Sequence, residues 1–144
     1  MNAIELLKQD HENVKKAFKE FQELGPQAYK TKKSLAEKIC KELTIHTQIE
    51  EEIFYPAFRK AVTGEEGLLN EAKVEHDSAK TLIREIQKMD AEEKLFDAKV
   101  TVLGEYVEHH IKEEEQEMFP LMRKTKVDLD ALGEELEQRK EKLA

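Results

Sequence analysis

Apolar residues recur every three to four positions along most of the chain, in four long stretches separated by short breaks. This spacing places the apolar side chains on one face of an α-helix. Helices joined by short connections run antiparallel to their neighbours, so the pattern predicts an all-α, up-down-up-down four-helix bundle over about residues 3–125. A weaker amphipathic pattern over 126–144 is typical of a short fifth helix, and residues 1–144 are predicted to form one domain.

The predicted helix boundaries rest on local signals. Three predicted starts pair a small polar residue with a glutamate three positions later, as a capping box does, and these pairs are Asn2–Glu5, Thr63–Glu66 and Asp90–Glu93. Gly25-Pro26 ends the first helix, because neither residue favours helix continuation. The second helix is predicted to run from about Thr31 to Val62.

A histidine interrupts the apolar face of each of the four helices. The four residues are His11, His46, His76 and His110. Burying a polar group without a partner costs on the order of 1–3 kcal/mol. A single histidine in such a stripe is usually a core residue with a hydrogen-bond partner, but four of them require a shared explanation.

The histidines belong to an internal repeat. The second helix carries His46xxxGlu50 and the fourth carries His110xxxGlu114, at an offset of 64 residues. The first and third helices match in the same way, with the pair Asp10-His11 repeated as Glu75-His76. The sequence therefore predicts two helical hairpins related by an approximate two-fold axis, each of which supplies one histidine and one HisxxxGlu motif.

This arrangement is suited to binding metal. Residues at i and i+4 lie one above the other on a helix, about 6 Å apart along its axis, so an imidazole and a carboxylate can converge on neighbouring ions. The predicted metal ligands are His11, His46, Glu50, His76, His110 and Glu114. Nitrogen and oxygen donors without thiolate suit iron, manganese or zinc. Two carboxylates that can each bridge two ions favour a dinuclear site.

Other polar residues near the motifs are predicted to play smaller roles. His109 lies about 100° around the helix from His110 and is expected not to be a ligand. Glu51 and Glu115 are expected on the solvated face or next to the ligands.

The aromatic and cyclic residues that follow the motifs also have expected roles. Tyr55 is expected to pack at the boundary of the core, with hydrogen bonding to the site as the alternative. Pro56 and Pro120 are expected to end or kink their helices.

Composition narrows the function. The chain has 24 basic and 32 acidic residues and a net charge of −8, which argues against nucleic acid as a partner. No stretch approaches the ~20 apolar residues of a membrane span, and no signal peptide is visible, so a cytoplasmic location without membrane contact is expected. Cys40 is the single cysteine, which rules out a disulfide framework and favours a small core residue at that position.

The ordered set His11, His46xxxGlu50, His76 and His110xxxGlu114 resembles the hemerythrin-like, or HHE cation-binding, domains. The resemblance covers residues from about 3 to 125. It implies two iron ions in a non-haem centre, bridged by the two carboxylates and an oxo or hydroxo group, with manganese or zinc as alternatives. In the oxygen carriers of that family, O2 binds end-on at the iron with an open position.

This chain differs from the oxygen carriers at two positions of the site, and these differences bear on the expected function. The carriers have a further histidine four residues after the third-helix histidine, where this chain has Lys80, and their last acidic ligand is an aspartate five residues after the fourth-helix histidine, where Glu114 follows at four. Losing one imidazole opens a coordination position.

The apolar residues expected to form a dry pocket beside the site are Phe18, Phe54, Ile83, Val107 and Ile111.

Several functions remain open on the sequence alone. The preferred hypothesis is a di-iron protein that binds or senses O2 or a related small diatomic ligand. The alternatives are a di-iron enzyme acting on peroxide or nitric oxide, an iron-handling or iron-sensing protein, and a metal-free helical interaction module. A ferritin-like site is excluded, because no histidine has a glutamate three residues before it. Whether the chain is an enzyme and which proteins it binds are not predicted.

Overall fold

The computed structural model describes all 144 residues, and its secondary structure is helical, without β-strands. Seven α-helices and two short π-helical turns follow one another along the chain. They are α1 (Ala3–Glu23), α2 (Tyr29–Ile49), π1 (Glu50–Phe54), α3 (Tyr55–Ala61), α4 (Glu66–Gln87), α5 (Phe96–Glu113), π2 (Glu114–Met118), α6 (Phe119–Arg123) and α7 (Leu129–Leu143). The elements α2, π1 and α3 form one unbroken helical rod, and α5, π2 and α6 form another.

The rods pack as the sequence predicts. Helix α1 lies against α2 and α5, and α4 lies against the same two helices, which gives an antiparallel four-helix bundle. The predicted fifth helix is confirmed as α7, which packs on α1, α2 and π1. Gly133 allows this close approach, because a Cβ atom there would collide with the backbone of Met1, Asn2 and Ala3.

A π turn lies within each rod. In π1 the backbone N–H of Tyr55 donates to the carbonyl of Glu50, five residues earlier, where an α-helix would bond four residues earlier. Pro56, which has no N–H to donate, follows at once, and the helix continues to Ala61. The second rod has the same arrangement before Pro120. The prolines therefore do not end their helices, and the wider turn is the local irregularity that accompanies them.

Of the three predicted capping boxes, only the one at Asn2 is confirmed. Asn2 caps α1, since its side chain accepts a 2.9 Å hydrogen bond from the N–H of Glu5 and its own N–H donates to the Glu5 carboxylate. The Thr63 prediction is wrong: α4 begins at Glu66 without a side-chain cap, after Gly64 with a φ of 81° has reversed the chain.

The Asp90 prediction is also wrong. The backbone N–H of Asp90 donates to the Glu93 carboxylate at 2.6 Å, which is half of a capping box. The following residues nonetheless form turns, and α5 begins only at Phe96.

The apolar core is divided by the histidines. Of the two clusters of 15 buried residues, one occupies the end of the bundle that α7 covers, and the other occupies the opposite end. In α1, for example, Leu7 belongs to the first cluster, Val14 belongs to the second, and His11 lies between them. Each fully buried Leu, Ile or Phe stabilises the fold by roughly 1.5–3 kcal/mol. The polar layer between the clusters lacks this stabilisation by apolar burial, so other interactions must hold its side chains in place.

The remaining predictions about the chain concern Cys40 and the membrane. Cys40 is buried in the second cluster, as expected of a small core residue, and burial raises the pKa of its thiol to about 11. None of the helices combines the length and the apolar character needed to cross a lipid bilayer.

Candidate metal centre

The six predicted ligands come together in the layer between the two apolar clusters. All are buried, at most 9% exposed, and both glutamates are inaccessible to solvent. Their donor atoms form two groups within which every pair lies within 4.8 Å. One group is His11, His46, Glu50 and Glu114, and the other is Glu50, His76 and His110. Glu50 belongs to both groups, so the two groups adjoin, and each could hold a metal ion.

Both carboxylates reach across the two hairpins. Glu50 Oε1 lies 3.3 Å from His46 Nε2 of its own hairpin and 3.2 Å from His76 Nε2 of the other. Glu114 points one oxygen to each side, with Oε1 3.0 Å from His11 Nε2 and Oε2 3.3 Å from His110 Nε2. The helix spacing predicted carboxylates facing inward, and the structure shows that each one faces imidazoles of both hairpins.

Each histidine turns its other ring nitrogen outward to an acidic side chain. The Nδ1–oxygen pairs are His46–Asp10 at 2.9 Å, His76–Glu51 at 2.7 Å, His110–Glu75 at 2.6 Å and His11–Glu115 at 2.8 Å. An ionised carboxylate can only accept a hydrogen bond, so each Nδ1 carries a proton and donates it. This orientation leaves Nε2 directed into the layer and raises its basicity, as in metal-ligating histidines.

Three of the outer carboxylates, Asp10, Glu51 and Glu75, are held in their ionised form. The hydrogen bond from His76, assisted by one from Lys80, lowers the pKa of Glu51 to about 2. Burial alone would raise the pKa of Asp10 and of Glu75, but hydrogen bonds from His46 and His110 outweigh it and lower both values.

Charge in the layer itself is coupled in the same way. Burial would lower the pKa of His46, but the adjacent Glu50 and Asp10 carboxylates outweigh burial and raise it to about 10. Burial would raise the pKa of Glu50, but the positive charge of His46 and hydrogen bonds in the layer hold it well below its ordinary value. The group of side chains thus favours positive charge at its centre.

These donors fit a metal ion better than they fit one another. Four Nε2 atoms and two carboxylates point into the layer, and the Nε2 atoms of His76 and His110 lie only 3.2 Å apart. The raised pKa values of His46 and His110 mean that protons are retained on these imidazoles, and a cation in the layer would take the place of those protons. Glu50 Oε2 is buried and has no hydrogen-bond partner at all. Cations in the layer would satisfy every one of these groups.

Tyr55 is part of the site, which corrects the expectation of boundary packing. Its hydroxyl donates a 2.6 Å hydrogen bond to Glu114 Oε2 and lies 3.2 Å from Glu50 Oε1. The same oxygen is 3.2 Å from His76 Nε2 and 3.0 Å from His110 Nε2. Burial, followed by the two glutamates, raises the pKa of this phenol well above its ordinary value. Tyr55 therefore places an oxygen among the donors of the second group.

The other neighbours lie outside the layer. His109 is 66% exposed and does not contact it, whereas Glu51 and Glu115 support the ligand imidazoles, one of the two roles expected of them. Lys80, at the position where the oxygen carriers have a histidine, turns away from the centre and donates to Glu51 at 2.8 Å. Sequence reasoning gave Asp10 no role, although its repetition as Glu75 was a usable signal.

A small cavity lies against all four imidazoles. Its volume is about 40 Å³, enough for a diatomic molecule and far below the size of pockets that hold metabolites. Val107 and Ile111 line it, as the sequence predicted. The other residues expected there lie elsewhere: Phe54 and Ile83 are in the two apolar clusters, and Phe18 lines a surface groove.

An antiparallel four-helix bundle with convergent imidazoles and carboxylates in its core defines a class of metal-binding proteins. Comparison with known families agrees: residues 2–122 match the family model described as the hemerythrin HHE cation binding domain. The chain belongs to this family.

Two relatives share part of their length with the chain. A DNA nickase of Nostoc sp. is 31% identical over 124 residues, which make up 85% of this chain and 34% of the nickase. An uncharacterized hemerythrin-like protein of Schizosaccharomyces pombe is 31% identical over 120 residues, covering 82% of this chain and 54% of that protein. The chain thus spans about a third and about half of these two relatives.

A solved structure matches over nearly the whole chain. The crystal structure of a hemerythrin HHE cation-binding domain-containing protein from Mycobacterium kansasii, the Rv2633c homolog, superimposes with a TM-score of 0.83 at 25% identity. The match covers 99% of this chain and 87% of that one, so it includes α7 as well as the bundle.

Proposed function

We propose that the chain is a non-haem di-iron protein that binds or senses O2 or a related small ligand at a carboxylate-bridged centre. The observation that carries the proposal is that Glu50 and Glu114 each face imidazoles of both hairpins. A carboxylate placed in this way can bridge two ions and offset the repulsion between them. The proposed ligands are the six buried His and Glu residues, and their nitrogen and oxygen donors suit iron, with manganese or zinc as alternatives.

Tyr55 is proposed to complete the second metal position. Its oxygen lies within 3.2 Å of three donors of that group, namely Glu50, His76 and His110. A cation there would stabilise the phenolate and oppose the rise in pKa that burial imposes on the free phenol. Since Lys80 turns outward, the tyrosine supplies a donor where the oxygen carriers use an extra imidazole.

The protein groups prepare the site for a small ligand. The outer carboxylates fix the direction of each Nε2, and the apolar walls of the 40 Å³ cavity limit the entry of water. A di-iron centre supplies electrons and open coordination positions to ligands such as O2, peroxide or nitric oxide. The small volume of the cavity favours a diatomic molecule or peroxide as the partner.

A second candidate function is turnover of peroxide or nitric oxide, and Tyr55 is the observation that favours it. A hard anionic oxygen donor stabilises the oxidised metal, which disfavours reversible carriage of O2 and favours redox turnover. DNA nicking is not favoured for this chain. The part that matches the Nostoc nickase is 34% of that protein, and the net charge of −8 disfavours binding to DNA.

Anaerobic loading of the metal-free protein with ferrous iron tests the proposal. Binding of about two irons per chain is expected, followed by new near-ultraviolet absorption bands when O2 is admitted. Bands that disappear when O2 is removed support binding or sensing. Irreversible oxidation, followed by steady consumption of peroxide or nitric oxide without loss of iron, supports the enzyme. Failure to bind iron would overturn both candidates.

A further inference from the structure

The four outer carboxylates differ in what neutralises them. Lys140 of α7 donates to Asp10 at 2.6 Å, and Lys80 donates to Glu51 at 2.8 Å. Glu75 forms no ion pair with a lysine or an arginine. Its neighbours are instead a second carboxylate, Glu113, and the imidazole of His109. At this one position the structure adds negative charge where two other positions have a lysine.

The three side chains converge at the surface. Glu75 uses Oε1 to accept the hydrogen bond from His110 and turns Oε2 toward His109 Nε2, 3.5 Å away. The same Nε2 lies 3.1 Å from Glu113 Oε1. His109 and Glu113 are four residues apart on α5, so they repeat the spacing of the buried His110xxxGlu114 motif one residue earlier. With Glu75 21%, Glu113 25% and His109 66% exposed, solvent reaches all three.

The two-fold repeat shows that this cluster is particular to the second hairpin. Residues 64 positions before His109 and Glu113 are Ile45 and Ile49, and neither is a metal donor. In the first hairpin the matching outer carboxylate, Asp10, has the ammonium group of Lys140. The second hairpin therefore offers an imidazole and two carboxylates where the first offers a fixed positive charge.

We propose that Glu75, His109 and Glu113 form an outer site for a divalent cation such as Mn²⁺ or Fe²⁺, and that this site collects metal for the buried centre. One imidazole with two carboxylates is a donor set that such ions take, and a cation there would separate the two negative charges. Glu75 also accepts the hydrogen bond from His110 Nδ1 at 2.6 Å, so the outer site adjoins a proposed ligand of the buried centre. The collecting role rests on the proposed function, whereas the outer site itself does not.

Paramagnetic broadening tests the site. Mn²⁺ is titrated into isotope-labelled protein that has been incubated with diamagnetic Zn²⁺ and desalted, so that no bound iron is needed, and backbone amide signals are followed by NMR. Selective broadening at residues 71–75 and 109–113 is expected, and it should be lost in the double variant His109→Ala/Glu113→Gln. The variant Glu108→Gln is the matched control, because it removes a neighbouring exposed charge of α5 outside the cluster and should leave broadening unchanged. Equal broadening in the double variant, or broadening spread over the whole acidic surface, would overturn the site.

Iron uptake tests the collecting role. In stopped-flow mixing of metal-free protein with Fe²⁺, the double variant should load about tenfold more slowly than wild type and reach the same final iron content. An unchanged rate would overturn the collecting role. Absence of iron from the wild-type protein would count against the proposed function and leave the Mn²⁺ result standing, so the two failures are distinguishable. Unchanged helix content by circular dichroism excludes misfolding of the variant.

Discussion

The two hairpins provide equivalent ligands in different surroundings. Each gives one histidine and one HisxxxGlu motif, with an outer carboxylate on every imidazole. The difference comes five residues after each glutamate, where the first hairpin has Tyr55 and the second has Phe119. Phe119 stacks on His11 with ring centroids 5.9 Å apart, whereas Tyr55 directs its hydroxyl among the donors. One hydroxyl group thus makes the two groups of donors chemically unequal.

The hairpins also differ in what covers them. Helix α7 packs on α1, α2 and π1, all of which belong to the first hairpin. Lys140 and Arg139 of α7 form ion pairs there with Asp10 and Glu52. The second hairpin has no such cover and exposes His109 beside its outer carboxylate. The comparison shows that residues outside the six proposed ligands can give a symmetric set of ligands two different surroundings.

The largest effect is expected from Glu50→Gln, which removes the carboxylate shared by both groups. An amide is a poor bridge between two cations, so iron content should fall from about two to fewer than one per chain. Metal analysis of the loaded and desalted protein measures this. The metal-free variant should be less stable than wild type, because the buried Glu50 carboxylate compensates the positive charge of His46.

Glu52→Gln is the control for that experiment, since Glu52 lies on the same π turn but points to the surface and pairs with Arg139. It should keep its full iron content. A Glu50→Gln protein that retained two irons would show that the hairpins do not share this ligand.

Tyr55→Phe sharpens the comparison by making the first hairpin resemble the second. We expect about 10–100-fold weaker binding at one of the two proposed metal positions and a much smaller change at the other, because the two imidazoles that the lost oxygen contacts, His76 and His110, belong to one group. Stepwise iron titration measures both affinities. Phe119→Tyr is the reciprocal change. When it is combined with Tyr55→Phe, it should not restore binding at the metal position that Tyr55→Phe weakens. Equal loss at both positions would contradict the assigned asymmetry.

Gly133→Ala tests the cover on the first hairpin. The added methyl group would meet the backbone N of Ala3 and C of Asn2 at 2.8 Å, and a backbone cannot move aside as a side chain can. Destabilisation of about 1–3 kcal/mol is expected from urea denaturation of the metal-free protein. In the control Gly67→Ala the methyl group meets nothing within 4 Å, and the change should stabilise by roughly 0.5 kcal/mol. Similar effects of the two changes would mean that α7 does not dock closely.

The smallest effect is expected from pH in the metal-free protein. The folded pKa of His46 is raised from 6.5 to about 10, so its contribution is complete below pH 6.5 and is lost as pH rises toward 10. The folded pKa of Glu51 is lowered from 4.5 to about 2, so its contribution is complete above pH 4.5 and is lost as pH falls toward 2. Stability should therefore be greatest between pH 4.5 and 6.5.

Urea denaturation at several pH values measures this dependence, and stability should fall steadily as the pH rises from 6.5 toward 10. His46→Gln should flatten the alkaline side, and Glu51→Gln should flatten the acid side. Added metal should reverse the alkaline trend, because bound metal displaces protons from the imidazoles. Stability that rose with pH in the metal-free protein would contradict the charge assignment.

Much of the fold followed from periodicity. The sequence pattern predicted which face of α4 is buried, because a long amphipathic helix leaves little choice of face. The buried residues are Leu69, Ala72, His76, Ala79, Ile83 and Ile86. The start of α4 was mispredicted at Thr63, since a capping box in sequence does not reveal that Gly64 reverses the chain between its two members. Local signals of this kind depend on backbone angles that neighbouring residues do not fix.

The site followed from the repeat except where the helix is irregular. In an unbroken α-helix Tyr55 would lie about 140° around the axis from Glu50 and would point away from the site. The π turn accommodates one more residue and brings positions 54 and 55 both inward, so Phe54 enters the apolar core and Tyr55 enters the metal layer. The pairing of Asp10 with His46 could not be predicted either, because it joins two helices whose relative rotation the sequence does not fix.

The division of the core has a consequence for cooperativity. The two apolar clusters meet only across a layer of like and unlike charges, so in the metal-free protein each end of the bundle should open and close as a separate unit. The proposed metal ligands come from all four bundle helices in the middle of the molecule. Filling the site should merge the two units, and amide hydrogen exchange should slow as far away as Ile39 at one end and Leu136 at the other.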